Sequence, residues 1–229
     1  MSDRLILGLD NSMDFLNLVL GTEDRLIEER HSSADRHSSE VLPVRVSRLL
    51  ADHGASASDL SALAVTLGPG SFTGVRVAYA FCKGLVAGLA IPLLGIPTPD
   101  VLALNLAFME GYYLCPLIDA KKGEVFFALY RVENSAVVRI DGFRALRPDK
   151  VSALIPAPCL CFGTGAVLCA SALAGIKGLQ MIDGLFQRVS GEALLQAARA
   201  AQARGHHEEA KPIYARRSEA EIKFNLTIP

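Results

Sequence analysis

The stretch GPGSFTGVR at residues 68–76 decides how this chain folds, because it joins two segments of different character. The apolar run at residues 60–67 predicts a buried strand, and the long proline-free segment after the stretch predicts a helix. Glycines at positions 68 and 70 can adopt positive φ, and Ser71 or Thr73 is placed to cap the helix start. The stretch therefore predicts a tight turn from a strand into a helix.

Two roles are open to this turn, a structural one and the binding of an anion. Backbone N–H groups at a helix start can hold a phosphate group. A Walker A loop, however, needs Lys followed by Ser or Thr after its last glycine, and here Val75 and Arg76 follow. The dinucleotide fingerprint needs its third glycine where threonine stands. The residues assigned to a structural or anion-binding turn are Gly68, Gly70, Ser71, Thr73 and Gly74.

The helix after the turn carries small residues on one row, since Ala80, Gly84 and Gly88 stand four positions apart. A glycine inside a helix costs roughly 1 kcal/mol relative to alanine, so its presence needs a reason. Small residues allow another helix to approach to the short end of the usual range of about 8–10 Å. The row predicts close packing, either on the chain's own sheet or against a helix of another subunit.

The composition is that of a globular protein without a strong charge. Of its 229 residues 51% are hydrophobic, and the formal net charge is −1, which argues against a surface that neutralises many nucleic-acid phosphates unaided. The five cysteines are an odd number, and we expect them to be reduced and buried, as in a cytosolic protein. The opening residues show no signal peptide, and prolines interrupt the most apolar region, residues 85–107. We therefore expect a cytoplasmic protein without a membrane span.

The predicted elements repeat along the chain. A meander of three strands comes first, and its first strand, residues 5–9, ends at Asp10; a second meander begins with residues 114–118, which end at Asp119. The other predicted elements are helices at 42–53, after the glycine stretch, at 99–110 and within 186–203, and strands at 60–67, 92–96, 124–130, 136–140 and 159–162. Two meanders of one design predict an α/β fold with an internal duplication.

The glycine stretch also resembles the hallmark of the TsaB (YeaZ) family, and four other segments are similar to that family. They are LDNS at residues 9–12, HSSEVLP at 37–43, DAKKGEVFFALY at 119–130 and PIYARRSEAE at 212–221. The resemblance implies two ribonuclease-H-like subdomains of the actin-like ATPase superfamily, the second one reduced. It places the subdomain with the dimer helices at residues 1–99 and the reduced subdomain with the C-terminal tail at residues 100–229.

Members of this family are partner subunits in the synthesis of threonylcarbamoyladenosine in tRNA, so the resemblance implies a subunit that is not itself an enzyme. The transferase subunit TsaD is expected to move the threonylcarbamoyl group onto the tRNA adenosine next to the anticodon. The implied partners are TsaD, the TsaE ATPase and, when the chain is alone, a second copy, with tRNA reached only through the complex. No cofactor of its own is implied, since the complex uses ATP and threonylcarbamoyl-AMP.

The family forms dimers through its first two helices, which matches the row of small residues. The interface residues expected on this ground are Leu42, Val46, Arg76, Ala80, Lys83, Gly84 and Gly88. Arg76 and Lys83 lie seven positions apart, so they share a face and are placed to meet acidic groups of a partner.

The pattern provides no complete catalytic site. The first aspartate turn, residues 10–14, keeps an aspartate and a serine, but the second, residues 119–123, has lysines where nucleotide-binding relatives have glycine. Metal-bearing relatives hold their ion through two histidines four apart, whereas His31 and His37 are six apart. We therefore expect no metal site and no catalytic residue. The alternatives are a small-molecule kinase or ATPase of the actin-like superfamily and a metallopeptidase-like glycoprotease.

Overall fold

The structure, a computed structural model, describes residues 4–33, 38–182, 187–204 and 210–216. Within these ranges ten strands form two five-stranded sheets, and helices pack on their faces. The mixed α/β class predicted from the sequence is confirmed.

The first sheet is built by the N-terminal part of the chain. Its strands are β1 (Leu5–Asp10), β2 (Phe15–Gly21), β3 (Leu26–Ser33), β4 (Leu60–Thr66) and β5 (Leu93–Ile96). They lie in the order β3-β2-β1-β4-β5, with β1, β2 and β3 antiparallel and β4 and β5 parallel to β1. The central strands β1 and β4 are apolar on both faces because both faces of this sheet are covered.

The second sheet repeats this topology. Its strands are β6 (Tyr113–Lys121), β7 (Glu124–Glu133), β8 (Ala136–Leu146), β9 (Cys159–Phe162) and β10 (Leu179–Met181), in the order β10-β9-β6-β7-β8. When the order is taken from β8, three antiparallel strands are again followed by two parallel ones. The repeated meander predicted from the two aspartate-terminated strands is therefore present.

Six α-helices connect these strands in the described parts of the chain. They are α1 (Ser38–Asp52), α2 (Phe72–Leu89), α3 (Thr98–Leu104), α4 (Pro148–Val151), α5 (Ala166–Leu173) and α6 (Gly191–Ala203). Pro43 lies inside α1, in its second turn. Gly54 follows α1 with a φ of +65°, and the Ala55 amide donates to the Leu50 carbonyl oxygen at 3.0 Å, so the predicted glycine cap is confirmed.

Three elements show the largest differences from the sequence-based prediction. Helix α3 ends at Leu104 rather than near residue 110, because the Asn105 side-chain amide donates to the carbonyl oxygens of Val101 and Leu102 and closes the last turn. Strand β8 continues to Leu146 rather than to residue 140, since it pairs with β7 along its length. The three-residue strand β10 was not predicted, because so short a segment has no period to detect.

The helices form an outer layer on each sheet and a shared layer between the two sheets. Helices α1 and α2 cover one face of the first sheet, and α4 and α5 cover the outer face of the second. In the shared layer α6 packs on the first sheet, and α3 packs on β6 and β8 of the second. Each sheet is therefore covered in part by a helix from the other half of the chain, and the division into residues 1–99 and 100–229 stays a prediction.

All five cysteines are free thiols buried in this core, as predicted. Four of them line the outer face of the second sheet, and the fifth, Cys82, lies on the buried side of α2. Burial raises the pKa of the Cys82 thiol to about 12, so this group stays protonated at neutral pH.

Candidate functional site

A cleft of about 790 Å³ opens at the ends of the two sheets where the aspartate turns lie. Four segments line it: the first aspartate turn (residues 10–14), the glycine turn (residues 68–74) with the start of α2, the second aspartate turn (residues 119–123), and a segment that we call the strap (residues 210–216). The sequence predicted the two turns and the glycine stretch, but only the fold brings them to one cleft.

Hydrogen bonds to backbone carbonyl oxygens join the first aspartate turn to the glycine turn. The Ser71 amide donates to the Ser12 carbonyl oxygen at 2.7 Å, and the Asn11 side-chain amide donates to the Gly74 carbonyl oxygen at 3.2 Å. A Cβ atom added to Gly74 would lie 1.9 Å from the Asn11 carbonyl oxygen. The glycine turn therefore serves as a packing surface for the first aspartate turn.

Two of the glycines in this turn serve different purposes. Gly68 has a φ of +82°, as predicted, but Gly70 has no positive φ, so the reason given for Gly70 was wrong. Glycine is needed there because a Cβ atom would lie 2.1 Å from the Ser12 carbonyl oxygen. Backbone contact between residues so far apart in sequence leaves no local signal.

Ser71 caps α2, as the sequence predicted. Its hydroxyl oxygen accepts from the Gly74 amide at 3.2 Å. Thr73 lies exposed in the first helical turn and lines the cleft. Anion binding by the glycine turn stays a prediction.

Asp10 is directed into the protein and is only 2% exposed. Its Oδ1 accepts hydrogen bonds from the Ser12 amide at 3.1 Å, the Ser12 hydroxyl at 2.5 Å and the Thr66 hydroxyl at 2.5 Å. Burial raises the pKa of the Asp10 carboxyl, although these hydrogen bonds act in the opposite direction. Of this turn, Ser12, Met13 and Asp14 line the cleft.

The second aspartate turn is more open and is built by lysines. Lys121 and Lys122 have φ angles of +62° and +57°, in the left-handed region that favours glycine, and Gly123 follows with +75°. Both Lys121 nitrogens contact the Asp119 carboxylate, with the amide at 2.7 Å from Oδ1 and the ammonium at 2.9 Å from Oδ2. This contact raises the pKa of the Lys121 ammonium and places a cation where nucleotide-binding relatives are expected to have bare backbone.

The strap crosses the cleft and touches both halves of the fold. At the first sheet, the Ile213 amide donates to the Leu67 carbonyl oxygen at 2.8 Å. At the second sheet, Arg216 donates to the Ala120 carbonyl oxygen and pairs with the Glu124 carboxylate, both at 3.2 Å. The sequence pattern predicted no role for the strap, because an irregular segment has no hydrophobic period and its contacts are set by tertiary structure alone.

The outer face of α2 carries the residues predicted for a partner. Arg76, Ala80, Lys83, Gly84 and Gly88 are all exposed. A Cβ atom added to either glycine would meet no other atom within 4 Å, whereas the buried side of α2 is formed by other residues. The row of small residues therefore does not pack on the chain's own sheet, and its contact with a partner stays a prediction.

The two α1 residues predicted for the same interface lie differently. Leu42 and Val46 are 0% and 4% exposed and belong to the core that α1 and α2 share with the first sheet. They can support an interface from beneath, but their side chains are not at the surface.

Helix α2 also has an unusual composition for an exposed helix. Among the described residues it alone is long and apolar enough to cross a membrane, by length and composition, and 17% of that stretch is buried. The predicted lack of a membrane span was based on the prolines within residues 85–107, a region that overlaps only the end of this helix.

The histidines do not form a recognisable metal site where they are described. His31 lies on β3 with its Nε2 at 3.2 Å from Glu29 Oε1, and no group of three His, Cys, Asp or Glu side chains suited to a metal ion occurs in the described ranges. His37, His206 and His207 lie outside those ranges. The predicted lack of a metal site stays a prediction.

Comparison with known proteins identifies the family. The family model described as TsaD, tRNA N6-adenosine threonylcarbamoyltransferase, matches residues 30–157, which is more than half of the chain. The chain belongs to this family. Its similarity to TsaB proteins places it in the TsaB (YeaZ) group. The resemblance found in the glycine stretch is therefore confirmed.

Two curated relatives show this similarity. The tRNA threonylcarbamoyladenosine biosynthesis protein TsaB of Bacillus subtilis is 34% identical over 136 residues, which cover 59% of this chain and 58% of the relative. The protein of that name from Escherichia coli is 30% identical over 133 residues, 58% of this chain and 57% of the relative. The chain thus matches somewhat more than half the length of these relatives.

A solved structure extends the similarity to the whole fold. A protein from Pseudomonas aeruginosa, described as uncharacterized with similarity to peptidase YEAZ, superimposes with a TM-score of 0.79 at 27% sequence identity. The superposition covers 93% of this chain and all of that one.

Proposed function

We propose that this chain is a non-catalytic subunit for the threonylcarbamoylation of the tRNA adenosine next to the anticodon, and that it acts by binding the transferase subunit TsaD. The observation that carries the proposal is the outer face of α2, where two glycines stand exposed with open space above them. Curated relatives named as tRNA threonylcarbamoyladenosine biosynthesis proteins support the process, and the match to the TsaD family supports a partner of the same fold.

The α2 face has the shape that a second helix needs. Glycine and alanine along one row let a helix axis approach closely, and the exposed glycines cost stability in a lone chain. Arg76 stands at the head of the row and Lys83 beside it, and both add positive charge, as in an interface with an apolar centre and a polar rim. The same face serves a second copy when the chain is alone and TsaD when it is present, so the two assemblies compete.

A non-catalytic role is supported by how the two aspartates are held. Asp10 is buried and turned away from the cleft, and Asp119 is occupied by Lys121. Both of these strand-end aspartates are therefore engaged by other groups of the chain. Chemistry is therefore assigned to TsaD, with ATP and threonylcarbamoyl-AMP used by the complex and no cofactor bound by this chain.

We also propose the domain organisation, the compartment and the further partners of the chain. The repeated strand order supports two ribonuclease-H-like subdomains of the actin-like superfamily, at residues 1–99 and 100–229, with the second reduced. The proposed compartment is the cytoplasm, the TsaE ATPase is a further partner, and tRNA is reached through the complex.

The experiment that tests the proposal replaces Gly84 with leucine. Gly84→Leu adds a side chain that holds two helix axes apart, and the open space above Gly84 leaves the fold intact. We expect a folded monomer by circular dichroism and light scattering, with dimerisation and TsaD binding at least about tenfold weaker and tRNA modification lost in the reconstituted system. Ala200→Leu places the same kind of side chain on the exposed side of α6 and should change none of these.

Other outcomes would contradict specific parts of the proposal. A Gly84→Leu variant that still dimerises and supports modification would place the interface elsewhere. ATP turnover by the purified chain that Asp10→Ala or Asp119→Ala abolishes would favour the kinase or ATPase alternative, for which the 790 Å³ cleft offers room. Peptidase activity lost on chelation and restored by metal would favour the glycoprotease alternative.

A further inference from the structure

The strap contacts α2 at Arg76, on the exposed face of that helix. Arg76 Nε donates to the Tyr214 hydroxyl oxygen at 2.9 Å, and the Arg76 guanidinium lies 3.7 Å above the centre of the Phe72 ring. The rings of Phe72 and Tyr214 are 5.4 Å apart. The exposed Arg76 therefore lies against two aromatic side chains, one from α2 and one from the strap.

The same arginine heads the row that the proposed partner uses. Arg76 stands one helical turn before Ala80, and Gly84 and Gly88 continue the row at the same interval. A helix seated along this row passes over the Arg76 side chain. A carboxylate of the partner attracts the guanidinium more strongly than a phenol does, because a charge-assisted, bidentate contact is the stronger hydrogen bond. In a second copy α2 has no acidic residue, and the exposed Glu40 in the first turn of α1 is the carboxylate that would take this place.

The contacts that hold the strap are modest enough to exchange. Tyr214 is 49% exposed, and the Arg216–Glu124 pair is partly exposed at 26% and 33% of the two side chains. Ion pairs and hydrogen bonds at such exposed positions are weak, so a competing contact can replace them. Tyr214 and Arg216 are held by these partly exposed contacts, whereas Ile213 is anchored more firmly, by its amide hydrogen bond to the carbonyl oxygen of buried Leu67 and by packing on the core of the first sheet.

We propose that the strap and a partner helix compete for Arg76, so that docking on α2 releases Tyr214 and opens the cleft between the two aspartate turns. The inference rests on the proposed function, since it assumes docking through α2. Tyr214 acts here as a regulatory contact: with the strap closed, Arg76 is held by the chain itself, and with a partner present, Arg76 faces the partner.

The test uses the full chain, with a second copy as the partner. Tyr214→Phe removes the hydroxyl that binds Arg76 and keeps the ring beside Phe72. We expect self-association measured by sedimentation equilibrium to become about two- to fivefold tighter. Tyr112→Phe makes the same chemical change in the segment between α3 and β6, and it should leave the association constant unchanged. A purely structural role for Tyr214 predicts weaker association instead.

Hydrogen exchange reports the strap directly, through the Ile213 amide that donates to Leu67. In the wild-type chain this amide should exchange faster as protein concentration, and with it the dimer, increases. In the Gly84→Leu variant its exchange should not depend on concentration. Tyr214→Phe should raise the exchange rate at low concentration as well.

The outcomes separate this inference from the function on which it rests. If wild type associates, Gly84→Leu prevents association, and neither Ile213 exchange nor Tyr214→Phe has the expected effect, the competition for Arg76 is wrong and the α2 interface stands. If wild type binds neither a second copy nor TsaD, the interface and the competition both fail.

Discussion

The two aspartate turns lie at equivalent places in the two sheets, but one buries its aspartate and the other leaves it partly exposed. In both, an aspartate at the end of the first strand meets a glycine-containing turn after the fourth strand, Gly68–Gly74 in one half and 163–165 in the other. The first turn encloses its aspartate, whereas the second presents Asp119 beside exposed lysines. Both halves therefore bring an aspartate turn against a glycine-containing turn at the same place in the topology. The side chains at these two places differ, and the two aspartates have different environments as a result.

The backbone of the glycine-containing turn lies closer to the aspartate turn in the first half than in the second. In the first half, a Cβ atom at Gly70 or Gly74 would lie about 2 Å from a backbone oxygen, which no real contact allows. In the second half, a Cβ atom at Gly165 would lie 2.8 Å from a Val125 methyl group, 2.9 Å from the Ile118 carbonyl carbon and 3.0 Å from the Asp119 amide nitrogen, so the overlap to be relieved is smaller there. The first junction therefore has less tolerance for added atoms than the second.

The largest predicted effect tests this difference in closeness. Gly74→Ala should destabilise the fold by about 3–5 kcal/mol, since a methyl group would displace the Asn11 backbone. Gly165→Ala should cost about 1–3 kcal/mol. Thermal unfolding followed by circular dichroism measures both.

A third glycine provides the control for these two variants. Gly88→Ala lies on the exposed face of α2 and should stabilise the chain by about 1 kcal/mol, because alanine is the better helix former. Equal losses for Gly74→Ala and Gly165→Ala would mean that the two junctions do not differ.

A smaller effect is expected from the buried carboxyl of Asp10. Its pKa is higher in the folded chain than the unfolded value of 3.8, so as pH rises the unfolded chain releases its proton first, and the fold loses stability until the folded pKa is passed. Asp10→Asn keeps an oxygen that accepts from Ser12 and Thr66 and carries no charge. It should raise stability at pH 7 by on the order of 1 kcal/mol and change little at pH 3.

The equivalent change in the second turn gives the contrast. Asp119→Asn removes a partly exposed ion pair with Lys121, so its effect at pH 7 should stay within about 0.5 kcal/mol. Urea unfolding at the two pH values measures both variants. A loss of stability at pH 7 in Asp10→Asn would show that the negative charge of Asp10 is required by the fold.

A further small effect is expected for Lys122 in the second turn. Lys122 and Gly123 form the two-residue connection between β6 and β7, and both have positive φ. Lys122→Asn creates the Asn-Gly pair that such turns favour and should stabilise the chain by up to about 1 kcal/mol. An unchanged melting temperature would mean that contacts of the Lys122 side chain offset its backbone strain.

The sequence by itself determined the elements and their repetition. Hydrophobic runs of the right length predicted β1, β4, β9 and α2 with bounds close to those observed, because both faces of these strands and one side of this helix are buried. Ser71 and Gly54 could be assigned as caps because capping is a local interaction.

Only the tertiary structure decided what those elements do for one another. The need for glycine at positions 70 and 74 arises from backbone atoms some 60 residues away, the burial of Asp10 from the layers around it, and the exposure of Gly84 and Gly88 from which side of α2 meets the sheet. The strap's hold on Arg76 likewise joins residues 138 apart in sequence. Contacts between distant segments depend on the relative position of whole elements, and no periodicity in a single sequence encodes that position.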